Sequence, residues 1–185
     1  MSPEEYRQQL DKQIERLKSG EAMKTAVVST HTRVARRIFV KGLKSDGTPI
    51  GEYNTTSPLY VNPLTGSPKK FPPAGKPYGG KKGREVFAST GKPHKTGYFE
   101  SYKAFRDKIG KNNKTVNLNL FGILQRDFAS GLQQESNSIW YEGVKQEGSA
   151  DKIVGNEKRF GEIFKHTKDE EEFFVKVLNR ELTKQ

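Results

Sequence analysis

With 185 residues, of which 32% are hydrophobic and 30% charged, the chain is long enough for one domain and polar for a globular one. Eleven Phe, seven Tyr and one Trp weigh against wholesale disorder, and the lack of Cys excludes disulfides, thiolate metal sites and thiol catalysis. The net charge of +11 is uneven: residues 63–97 hold eight Lys or Arg against one Glu, so seven of the eleven excess charges fall there on an otherwise nearly balanced body.

The start, MSPEEYRQQL, carries acidic residues where a secretory leader would be basic, and no apolar run approaches membrane-spanning length. Both predict a soluble protein made in a cytoplasm, with no membrane partner. Ser2 followed by Pro3 and Glu5 is a capping box, and Tyr6, Leu10, Ile14 and Leu17 then recur at helical spacing up to Gly20. A second helix is expected over residues 21–37, with Ala22, Ala26 and Val34 on one stripe and Met23, Val27 and Ile38 beside it. Arg33, Arg36 and Arg37 suit the negative end of its dipole, as solvated capping charges. Gly42 should end that helix and Asp46-Gly47 should turn the chain. TTSPLYVNP reads as a brief edge strand kept short by Pro58 and Pro63.

Residues 63–97 read as a basic, Pro/Gly-rich extended arm or loop inserted in a single domain spanning residues 1–185. Beyond it, Tyr98, Tyr102, Phe105 and Ile109 fall at i, i+4, i+7 and i+11, the spacing of one helical face. Leu118, Phe121, Leu124 and Phe128 fit a short helix, and SGLQQES and NSIWYEGV two strands joined near residues 136–138, with one face of the hairpin buried. A further helix is expected over residues 150–160. Thr167 and Glu170 then cap a last helix with Phe173, Phe174, Val177, Leu178 and Leu182 inward. Helices outnumber strands, so the expected class is α+β, several helices on a small antiparallel sheet with a long flexible Pro/Gly/Lys-rich loop.

Catalytic chemistry finds no footing in the sequence. A phosphate-cradling loop needs G-x-x-x-x-G-K-[ST], but Gly80-Lys81 is followed by Lys82 and Gly91-Lys92 by Pro93. Asp169 to Glu172 lie on one helix and point around it, a solvated first turn favoured by the dipole rather than a metal site. His31, His94 and His166 are distant in sequence and are expected at the surface. The expectation is a non-enzyme without metal or cofactor.

Three blocks, RRIFVKGLKSDGTPIGEYNTTSP, VNLNLFGILQRDF and SADKIVGNEKRFGEIFKHTKDEE, resemble in their order the tail-completion, or virion-morphogenesis, family of tailed bacteriophages. The resemblance covers residues 36–58, 115–128 and 150–172, about a third of the chain. It rests on an arginine-rich helix end before a D-G-x-x-G turn (Asp46, Gly47, Gly51), on a step holding Gly122, and on Arg159, Phe160 and Gly161 before an acidic helix. Phe121 stands where the family tends to carry a hydroxyl residue, and the basic insert is richer than the family pattern.

The resemblance implies a structural virion protein: one subunit of a homo-oligomeric ring in the neck, between portal-side connectors and tail proteins, made in the host cytoplasm and ending in the virion. The basic arm, with Lys69, Lys70, Phe71, Lys76, Tyr78, Lys81, Lys82 and Arg84, is then expected to order on a protein neighbour. The alternative is a nucleic-acid-binding accessory protein in which the same cations meet phosphates while Phe71 and Tyr78 stack on bases, with contact to genomic DNA and a salt slope of roughly −4 to −5.

Overall fold

The structure is a computed structural model. It describes residues 2–57, 59–61, 85–86, 93–94, 97–99, 101–108, 110–111, 113–118 and 122–184. The eight arm residues named above lie outside the described residues, as do Phe121, Ile109 and Pro58. The fold is α+β, and the chain divides into two compact units: residues 1–50 with 117–185, and residues 51–116.

The first unit is built on helices. α1 (Pro3–Ser19) starts with the expected capping box, Ser2 Oγ accepting from the Glu5 amide at 3.2 Å and the Glu5 carboxylate accepting from the Ser2 amide at 2.6 Å. Gly20, at φ +76°, ends it and opens α2 (Glu21–Arg36) directly. α2 continues as a π-helical turn over Arg37–Lys41, stopped by Gly42 at φ +69°. A single antiparallel bridge between Leu43 and Pro49 closes the turn around Asp46-Gly47. After the second unit come α4 (Ile123–Ala129), the hairpin of β5 (Gln133–Gln134) and β6 (Trp140–Tyr141), α5 (Glu147–Phe160) and α6 (Lys168–Thr183). α6 lies along α2, and Ala22, Ala26, Val34, Ile38 and Val177 are buried in this unit.

An aromatic triangle closes the core. Phe39 and Phe128 approach to 5.8 Å between ring centroids, Phe128 and Phe164 to 5.4 Å, and Phe39 and Phe164 to 6.3 Å. The three rings come from the three sequence blocks that carry the resemblance.

In the second unit, β1 (Leu59–Val61) pairs antiparallel with β4 (Gly97–Phe99), Tyr60 opposite Tyr98, and β2 (Glu85–Val86) pairs with β3 (Pro93–His94). α3 (Tyr102–Lys108) follows, with Phe105 buried, Tyr53 against Tyr102 at 5.6 Å and the Arg106 guanidinium over the Tyr53 ring at 4.4 Å.

Several expectations change. Tyr98 is a strand residue rather than part of a helical face, because pairing with Tyr60 overrides the local period. α4 begins only at Ile123, after the N-cap Gly122, and Leu118, at φ +51°, precedes it in left-handed backbone. α5 starts three residues before the expected boundary, where Asp127 accepts hydrogen bonds from the amides of Lys145 (3.3 Å) and Gln146 (3.1 Å) beside its first turn. In the hairpin Trp140 is half-buried while Ile139 and Tyr141 stay exposed.

Candidate assembly surfaces

Arg37 organises one end of the first unit. The solvated capping charge expected from sequence is buried instead, because Arg37 stands three residues after Val34 and seven after Thr30, on the buried face of α2. Its Nε donates to Glu170 Oε1 at 2.9 Å, one terminal nitrogen donates to the carbonyls of Ile163 (2.9 Å) and Leu43 (3.1 Å), and the other to that of Lys165 (2.9 Å). Glu170 in turn accepts from the Thr167 amide at 2.9 Å through its second oxygen, so the capping box of α6 and the buried ion pair share one carboxylate. The expected solvated acidic turn is therefore corrected at Glu170, which is 2% exposed.

Beside this clasp lies a cleft of about 790 Å³ lined by Arg33, Arg36, Lys41 and Lys168, against Asp46 and Asp169. Asp46 holds its own turn by accepting from the Thr48 amide (2.8 Å) and hydroxyl (2.6 Å), which keeps its carboxyl below the usual range. Gly47, at φ +81°, supplies the left-handed residue of that turn. Ser45 ties the turn to the end of α5 through two hydrogen bonds to the Glu162 carbonyl, from its amide at 3.2 Å and its hydroxyl at 2.8 Å. Asp46, Gly47 and Gly161 are thus brought close. Gly161 terminates α5 at φ +89°, and the Arg159 guanidinium sits over the Phe160 ring at 4.9 Å. Gly122 opens α4 at φ +76°, its carbonyl accepting from the Arg126 amide at 2.9 Å. Gly51 lies in the second unit, accepting from the Val116 amide at 3.3 Å.

Two histidines expected at the surface converge on one carboxylate. Buried His31 uses Nδ1 toward Glu142 Oε1 and Nε2 toward the Phe128 carbonyl at 2.9 Å, and its ring stacks on Phe128 at 4.4 Å. Half-buried His166 reaches Glu142 Oε2 at 2.6 Å. The clamp fastens β6 to α2 and to the segment before α6. Burial opposes ionisation of Glu142, but the hydrogen bonds from His166 and His31 outweigh it and hold its carboxyl down at about 2. The same contact raises His166 above its ordinary value. Among the described residues no group of three His, Asp or Glu is placed to hold a metal ion.

The linkage fixes the pH response of this clamp. A depressed carboxylate stabilises above its ordinary pKa and loses that stabilisation as the pH falls from about 4.5 toward 2, and a raised histidine stabilises below about 6.5 and loses it as the pH rises through its folded pKa. Thermal unfolding across pH 3 to 9 should therefore show a plateau near pH 4.5 to 6.5 with a fall on each side. His166→Gln should remove the alkaline fall and shrink the acid one, since Glu142 then loses the charged partner that does most to hold its carboxyl down; an alkaline fall of unchanged size would remove His166 from this role.

The third surface is α1. Residues 2–12 are exposed throughout, including the apolar stripe: Tyr6 is 57% exposed, Leu10 39%, Ile14 46% and Leu17 46%. Its long-range polar contacts gather at its C-terminal end, where Arg16 donates to the carbonyls of Lys184 and Leu182 (3.4 Å) and Asn137 Nδ2 donates to the Lys18 carbonyl at 2.6 Å. Asn137 also crowds Gly20, where an added Cβ would come within 2.9 Å of its side chain. α1 is fastened at one end and carries an uncovered apolar face.

No helix among the described residues is long and apolar enough to cross a membrane. Comparison of the chain with protein-family models, with curated proteins and with solved structures finds no match.

Proposed function

We propose that this chain is a structural subunit of a homo-oligomeric ring at the head-to-tail joint of a tailed bacteriophage, seated between portal-side connectors and tail proteins. The observation that carries the reading is the aromatic triangle. Phe39, Phe128 and Phe164 are separated by up to 125 residues, one from each block that resembles the virion-morphogenesis family, and they meet in one core. Their meeting supports reading the three blocks as parts of one fold. The Arg37 clasp adds to this, since it joins the first block to the third.

A subunit of this kind works by contact rather than by turnover. A closed ring needs two complementary side faces and two axial faces. The cationic cleft and the uncovered stripe of α1 are surfaces suited to such contacts. The basic segment, read from its sequence, supplies lysines and main chain that reach beyond the compact body, at an ordering cost met only when a neighbour is present.

Purified virions carrying the chain test the reading. Mass spectrometry should find it in small fixed copy number, and a gold-labelled tag should mark the joint between head and tail in electron micrographs. Replacing Lys69, Lys70, Lys76, Lys81, Lys82 and Arg84 with Ser should leave the body folded and reduce joining. Absence from the virion, or label along the tail tube, would overturn the proposal.

A further inference from the structure

We infer that the uncovered stripe of α1 is covered in the free protein by α1 of a second copy, the two helices running antiparallel about a two-fold axis. The inference goes beyond the head-to-tail reading and stands whether or not that reading holds.

A 17-residue helix standing alone in water is marginal, because nucleation is costly and each added residue contributes little. α1 nevertheless exposes four large apolar side chains along one stripe, while its long-range hydrogen bonds among the described residues lie near Arg16 and Lys18. Packing against a complementary stripe would remove that surface from water.

The charges say which stripe fits. Glu4, Arg7, Asp11, Glu15 and Lys18 follow one another at three- and four-residue steps, so they line a single flank, and all five are exposed. Read forward the flank is E, R, D, E, K; read backward it is K, E, D, R, E. Laid antiparallel on itself about Asp11, it places Glu4 against Lys18 and Arg7 against Glu15, twice each by symmetry, with the two Asp11 carboxylates on the axis. In antiparallel helix pairs the matching flanks of the two helices are the ones that meet, so this self-complementarity is usable. In the same register Tyr6 falls beside Leu17 of the second copy, and Leu10 between that copy's Leu10 and Ile14.

The helix is neutral as a whole, four acids against four bases, so two copies do not repel through it although the chain as a whole is strongly basic. In a parallel pair this flank would face the opposite flank of the second copy, and its self-complementarity would go unused. Such an isologous contact closes at two copies and cannot grow, so it is distinct from a ring contact. Its effect is to shield the apolar face of α1 before assembly.

Sedimentation equilibrium of the full chain, unaltered and in two variants, tests this directly. The unaltered protein should dimerise. Arg7→Glu alone sets Glu against Glu15 of the second copy, Glu15→Arg alone sets Arg against Arg7, and each should associate at least about tenfold more weakly. Mixing the two variants in equal amounts should restore the dimer, because every flank contact between unlike copies except the Asp11 pair is then an opposite-charge pair. Asp11→Asn should tighten association by removing the like-charge contact on the axis. A monomer at every concentration, dimers unaffected by Arg7→Glu, or a mixture no stronger than its components would each overturn the inference.

Discussion

Replacing Arg37 with Met should destabilise the first unit by about 3–5 kcal/mol, read as a shift of the urea midpoint at unchanged m-value. The expectation follows from what the side chain leaves behind. Glu170, 2% exposed, would keep a buried carboxylate with only its capping contact to the Thr167 amide. The carbonyls of Leu43, Ile163 and Lys165 would also lose a donor. Hydrophobic contact of the Met side chain offsets little of this, because the site is built around the planar fork of a guanidinium. Arg37→Lys should recover only part of the loss, since one ammonium cannot serve acceptors arranged around that fork. The double variant Arg37→Met with Glu170→Gln should cost less than the sum of the two single variants, because removing the buried charge relieves the main penalty. A single-variant cost under about 1 kcal/mol would mean that water or a neighbouring group replaces the clasp.

How far these features could be read from sequence depends on the distance over which each is decided. The capping boxes at Ser2 and Thr167 and the Asp46-Gly47 turn are settled within four residues, and sequence reading places them correctly. The stripe on α1 was equally visible, but periodicity says only that a helix has an apolar face, not what covers it. Arg37 falls three residues after Val34 on the buried stripe of α2 whereas Arg36 lies off it, so periodicity separates the two but does not say what pairs with a buried guanidinium. The Leu43 carbonyl is six residues on, but Glu170, Ile163 and Lys165 lie 126 to 133 residues away. His31 and His166 were misread for the same reason: the carboxylate that joins them lies 111 residues from one and 24 from the other. A signal did exist in the amphipathic pattern of α2, where His31 falls beside the stripe of Ala22, Ala26 and Val34. A histidine on the buried side of a helix needs polar partners, and the only question was which.

Phe128→Ala is expected to have the other large effect, about 3–5 kcal/mol, with a cavity where three parts of the chain meet. The ring is 2% exposed and touches Phe39, Phe164 and the imidazole of His31. Truncation would remove its contacts with all three, and backbone rigidity in α4 and at the π-helical turn would limit collapse into the space. Phe128→Leu retains most of the volume and should cost roughly half as much or less. The Phe128 carbonyl that receives His31 Nε2 survives both changes, so that hydrogen bond separates ring packing from backbone effects. In NMR spectra the His31 ring protons, which lie stacked on Phe128 at 4.4 Å, should lose their ring-current shift in both variants while the Nε2 contact persists. If Ala were tolerated within about 1 kcal/mol, the triangle would not be the core of the first unit. The three segments that supply these rings would then be held together by other contacts.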